Sequence, residues 1–163
     1  MTENSLSDPK LQNLTIMDKK IQNGPGFRLF EEYIDEIALF EENIPDPKDT
    51  IEFNSNIGFK TEKTGVQLAC ECSVTCMSDG KIFAKVKVTF VYEFDPFAIE
   101  ANTDKQDHSI IIPKDTLIYI ASKTYGAMRG VLLAKLSTKG IKHVLPLINL
   151  SEIITTSFKI KVY

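Results

Sequence analysis

The segment from Val66 to Phe94 leaves this chain the least conformational choice. It reads VQLACECSVTCM, then Ser78-Asp79-Gly80, then KIFAKVKVTFVYEF. In the first run Val66, Leu68, Cys70, Cys72, Val74 and Cys76 fall on one face of an extended chain. In the second, Ile82, Ala84, Val86, Val88, Phe90, Tyr92 and Phe94 do the same, while Lys85, Lys87, Thr89 and Glu93 occupy the opposite face. Period-two alternation means strands with one wet face. An Asp-Gly turn between them means a tight hairpin, because both turn residues tolerate positive φ.

The flanking segments extend that hairpin into a sheet. IEFNSNIGFK, from Ile51, puts Ile51, Phe53, Ile57 and Phe59 on one face and Glu52, Asn54, Asn56 and Lys60 on the other. Before it, FRLFEEYIDEIALFE places Phe27, Leu29, Tyr33, Ile37 and Leu39 on alternate positions, a series that Glu31 and Asp35 interrupt. Phe30, Ile34, Ala38 and Phe40 give the second face an apolar share. The reading is a long strand with both faces partly covered; a helical phase over 28–40 is the alternative. ENIPDPKDT, with two prolines, is a long connection.

After a polar loop from Pro96 to His108, the pattern changes to helical spacing. Pro113, Asp115 and Thr116 supply the start, with Asp115 or Thr116 as N-cap, and Gly140 the stop after about Leu136. VLPLINLSEII is then an extended apolar turn and a short helix capped by Asn149 or Ser151. TTSFKIKVY alternates and is either a last strand or a tail. Residues 1–23 are polar and read as a flexible N-terminal arm, set off by Gly24-Pro25-Gly26; 24–163 is a single domain. Strands followed by helices give an α+β fold: a four-stranded antiparallel sheet with a long helix and a short C-terminal helix on one face.

The long helix carries a second pattern. Ile118, Ala121, Tyr125, Met128 and Leu132 form an apolar stripe, widened by Leu117, Ile120, Ala127 and Val131 to about half the circumference. Beside it Ser122, Gly126, Gly130 and Ala134 repeat every four residues. Glycine costs a helix interior about 1 kcal/mol relative to alanine. A row of small side chains deepens the groove into which another helix can pack, so the row is an expected oligomer interface with a copy of the same helix across a two-fold. The competing reading is that the glycines let the helix sit close on its own sheet.

Little in the chain points to covalent chemistry. A net charge of −3 gives no reason to expect nucleic acid. No apolar run approaches a membrane span, and no basic stretch followed by an apolar one opens the chain, so a cytoplasmic location is the expectation. The three cysteines stand at C-x-C-x3-C on one face of one strand. Their side chains are therefore parallel and do not converge on a metal, and core packing is their expected role. His108 falls in a polar loop and is expected to be solvated; His143 precedes an apolar turn and is expected to be structural. Arg129 is read as a surface charge. Asp115 near a helix start admits a hot-dog-like small-ligand enzyme, but that fold places its helix early and most strands after it. No catalytic residue, metal or cofactor is expected.

Two further segments combine with this order of parts. YIDEIALFEENIP, Tyr33 to Pro45, is similar to the first strand and crossover loop of the SecB family of export chaperones, of the form Y-x-K-D-I-S-F-E-x-P-N-x-P. MRGVLLAKLSTKGIKHVLPLINLSEI, Met128 to Ile153, is similar to that family's R-G-x-F-P-x-L-x-L-x-P-V-N-F-x-A-L, in which Arg-Gly closes the long helix. The resemblance covers about Phe27 to Ile154. It implies a homotetramer, a dimer of dimers with the long helices at its centre, and apolar grooves that hold unfolded polypeptide clients without a nucleotide. Phe40, Ile44, Phe53, Leu147, Ile148, Leu150 and Ile153 would line the grooves. The sequence departs from the family at Asp35-Glu36, where a lysine-aspartate pair is usual, and at Pro146, one position from the family's proline. It ends in SFKIKVY rather than a zinc-binding tail. That ending argues against hand-off to a translocase motor and leaves an antitoxin-directed chaperone, or a structural oligomer, as the other expectations.

Overall fold

The computed structural model describes residues 26–61, 67–95, 103–143 and 145–161. The expected arm, 1–23, and Val66 lie outside them. The large sheet contains β1 (Phe27–Leu39), β2 (Glu52–Thr61), β3 (Gln67–Ser78) and β4 (Lys81–Phe94). Its spatial order is β1-β4-β3-β2, with antiparallel pairing throughout. The β3–β4 turn has Asp79 at φ 51° and Gly80 at φ 71°, the conformation that made Asp-Gly informative. β2 alternates half-buried and exposed along its length.

Two strands differ from simple alternation, and bulges are the cause. A bulge in β4 opposite Cys76 and Met77 turns Phe83 into the core, fully buried, where the alternation had placed Ile82. In β1 the register with β4 slips at Phe30 and again at Asp35. Each slip reverses the face of everything after it. Ile34, opposite Val88, therefore joins Leu29, Ile37 and Leu39 on the helix side, and Tyr33, opposite Thr89, goes to the other face. Thr89 Oγ1 donates to Asp35 Oδ2 at 2.5 Å, so the second bulge is tied to the neighbouring strand.

The long helix α1 spans Lys114–Ser137 and packs on β3 and β4. Leu117, Ile120, Ala121, Thr124, Tyr125, Met128, Leu132 and Leu136 are its buried face. Beneath them lie Cys70, Cys72 and Cys76, all free and fully buried. Burial pushes the Cys76 thiol up to about 12, which keeps it protonated and unreactive. The N-cap is Pro113 and not Asp115 or Thr116; Asp115 sits inside the first turn, where a carboxylate favours the helix dipole. At the far end Gly140 adopts φ 71°, Gly140 N–H donates to Ser137 O at 3.1 Å, and Ile141 N–H donates to Leu136 O at 3.1 Å. That pair of bonds is a Schellman closure, with Ile141 folded onto the core. The helix thus runs past Arg129-Gly130, which lie within it and do not close it.

The C-terminal helix, α2 (Leu150–Ile153), is a single turn with Asn149 as its N-cap. A second sheet accompanies it. β5 (Thr103–Asp104) and β7 (Phe158–Lys161) flank β6 (Ser109–Ile112). The segment read as a polar loop to His108 therefore contains a short strand, and the alternating C-terminus is a strand as well. Rings of Phe59 and Phe158, 6.3 Å apart, join the small sheet to β2, and Lys159 pairs with Asp107.

Candidate functional site

The turn between α1 and α2 is held by the helix. Arg129 Nε donates to Leu145 O at 2.9 Å, and Tyr125 Oη donates to Pro146 O at 3.0 Å. Arg129 is half-buried, so its role differs from the expected surface charge. Leu145, Leu150 and Ile154 are buried by this arrangement, whereas Leu147 is 80% and Ile153 56% exposed. Ile148 is half-buried against the core. Asn149 Nδ2 donates to Glu152 Oε1 at 2.9 Å, and Ser151 Oγ donates to Asn149 Oδ1 at 2.6 Å, stiffening the single turn. Exposing a leucine forfeits about 1.5–3 kcal/mol of burial.

The other residues implied by the resemblance come from the crossover after β1. Phe40 is half-buried and its N–H donates to Phe83 O at 2.8 Å. A 3-10 turn (Glu41–Asn43) follows, fixed by Asn43 Nδ2 to Ile82 O at 2.9 Å. Ile44 and Phe53 are half-buried and packed on the core. A cleft of about 510 Å³ lies between this crossover and the segment after α1. Pro45, Pro47 and Ile51 line it from one side, and Lys139, Ile141 and His143 from the other. None of the seven expected client-binding residues lines it; their neighbours do. The proline pair of ENIPDPKDT and the stop glycine Gly140 were the available signals for this cleft. Glu41 and Lys139 pair at 2.5 Å across the two segments, and Lys139 holds the Glu41 carboxyl below the usual carboxylate range. His143, expected to be structural, is exposed; His108 is also exposed. Asp115 is exposed and does not line the cleft. Among the described residues no group of three or more His, Cys, Asp or Glu is placed to hold a metal, and no helix is long and apolar enough to cross a membrane.

A second apolar surface lies on the outer side of α1. Ser122, Gly126, Gly130 and Ala134 are all exposed. A Cβ added at Gly126 or at Gly130 would meet nothing within 4 Å. The glycines therefore do not serve a close approach to the chain's own sheet. Tyr119, 49% exposed, and Leu133, 41% exposed, flank the row. The Phe27 and Tyr119 rings meet at 5.7 Å, which brings β1 alongside. α1 covers β3 and β4 and leaves the middle of β1 open on the helix side, between half-buried Phe27 and Leu39, with Leu29, Ile34 and Ile37 41%, 59% and 43% exposed. Sequence reasoning did not single out these β1 residues. The interruptions at Glu31 and Asp35 were the signal, since they stand beside the bulges.

No protein-family model matches the chain, and no curated protein matches its sequence. Its structure, however, is similar to that of the SecB-like chaperone Rv1957 of Mycobacterium tuberculosis, solved in complex with a ChAD peptide from the HigA1 antitoxin Rv1956. The two superpose with a TM-score of 0.50 at 10% sequence identity, over 87% of this chain and 100% of that one. The fold is SecB-like.

Proposed function

We propose that this chain is a holdase chaperone that binds unfolded or non-native polypeptide on apolar surface and acts without a cofactor. One observation carries the reading: Leu147 and Ile153 stand in solvent while their neighbours Leu145, Leu150 and Ile154 are buried. Apolar side chains held out by a fixed backbone are what a binder of extended chain requires. Phe40, Ile44, Phe53 and Ile148 extend that surface as partly covered side chains that a client displaces or packs beside. Leu150 supports the surface from below. Binding of the unfolded form withdraws it from folding and aggregation by mass action.

The assembly we propose is a homotetramer. The row Ser122, Gly126, Gly130 and Ala134 packs against its two-fold copy, and the open helix side of β1 continues the contact. The open space at both glycines supports this. Among client classes, the peptide in the Mycobacterium tuberculosis complex favours an antitoxin-like segment over an exported precursor as the first to try. A cytoplasmic site of action fits that class. Catalysis, including the hot-dog-like alternative, gains no support from Asp115.

Light scattering of a chemically denatured client diluted into buffer tests the proposal. Stoichiometric amounts of the chain are expected to suppress aggregation. No suppression at a tenfold excess sinks the holdase reading, and a mass of one chain in solution sinks the tetramer.

A further inference from the structure

We infer that Tyr125 and Arg129 are positioning residues for client binding: their hydrogen bonds to Pro146 O and Leu145 O hold Leu147 off the core and available to a client. The inference rests on the holdase reading and names the device that keeps its surface presented. The two donors stand four residues apart on α1, hence on one face, and their acceptors are consecutive carbonyls. Among the described residues, no other hydrogen bond reaches the backbone of 145–148. Pro146 has no N–H to give, and it restricts Leu145 to extended conformations. The turn therefore owes its path to α1. Without that restraint the segment between buried Leu145 and half-buried Ile148 is freer to turn its leucine inward, since burial is favourable. Instead the most exposed large apolar side chain described, Leu147, follows directly after the two restrained carbonyls. Tyr125 lies on the buried face of α1 and Arg129 is half-buried, whereas the small-residue row is exposed. Loss of either bond should leave assembly unchanged.

The test uses the full chain with Tyr125→Phe and Arg129→Met, each of which keeps most of the side-chain volume and removes the donor. A reduced and alkylated, permanently unfolded protein serves as the client. Three quantities are read: client affinity, amide exchange at residues 147–150, and mass in solution. The double variant is expected to bind the client about tenfold more weakly, the scale of one lost anchor, with faster exchange at 147–150 and unchanged mass. Leu147→Ala should weaken the parent chain to a similar degree and add nothing in the double variant, because both act through one side chain. Arg129→Lys, which retains a donor, should recover part of the affinity. Full affinity in the double variant, or a Leu147→Ala effect that adds undiminished to it, overturns the inference. If the parent chain binds no client, the holdase reading fails on its own; the exchange measurement still decides the restraint, and unchanged exchange at 147–150 overturns it. If the double variant does not fold, Tyr125→Phe alone carries the same readings.

Discussion

Gly126 and Gly130 face open space in a helix whose other side is fully packed. Alanine at either position should raise the stability of an isolated subunit by about 1 kcal/mol, since the backbone loses freedom only in the unfolded chain. Leucine at both should block close approach of a second helix. The expected result for Gly126→Leu with Gly130→Leu is a folded chain of lower mass by light scattering; unchanged mass removes the row from the interface. Burial of Cys76 and Tyr92 makes a different prediction. Their pKa values rise from 9.0 to about 12 and from 10.0 to about 12. The native state therefore keeps protons that the unfolded chain releases between those values. Stability is full below pH 9 and falls as pH rises through 9 to 12, by at most about 1.4 kcal/mol per pH unit per group. Urea midpoints taken from pH 8 upward will show the slope, and Cys76→Ala will reduce it.

Among the elements, β2, β3 and α1 were legible because each carries a single uninterrupted period and a recognisable stop, and β4 was legible except at its start, where the bulge brings Phe83 and not Ile82 to the core. β1 was legible as a strand but not in phase. Its two bulges move the face twice within thirteen residues, and alternation cannot be read across a slip of one. The small sheet was only half visible, since β5 has two residues and pairs with a strand that is itself only four long. The cleft was legible only as two chain stops, the proline pair and Gly140: it arises where a proline-rich crossover meets a helix end, and proximity of that kind leaves no local period. The Tyr125 and Arg129 bonds were hidden for the same reason, being contacts twenty-one and sixteen residues apart in sequence. At this scale the β1 phase is itself testable. Ile34→Lys puts a charge on its open helix side and should lower assembly mass with little change in melting temperature. Tyr33→Lys, on the other face, should leave the mass alone.

For the molecule as a whole, the small sheet has an effect out of proportion to its size. β6 leads directly into α1, and β7 comes back to pair with it after the whole helix and the turn have been traversed. The described residues between α1 and β7, 138–143 and 145–157, are consequently a hoop fastened at both ends, by the Schellman closure at one and by β7 at the other, and pinned between them by the Tyr125 and Arg129 bonds. Closing such a loop has its entropy cost met once, during folding, and growing it by several residues costs little. Ile160, 5% exposed and opposite Ile110, is the fastening point. Ile160→Pro should unfasten it while the four-stranded sheet stays intact, and limited proteolysis should then cut within 145–157 far faster than in the parent chain. A hoop pinned at its ends and in its middle cannot swing away, so whatever docks against it meets a surface of limited travel.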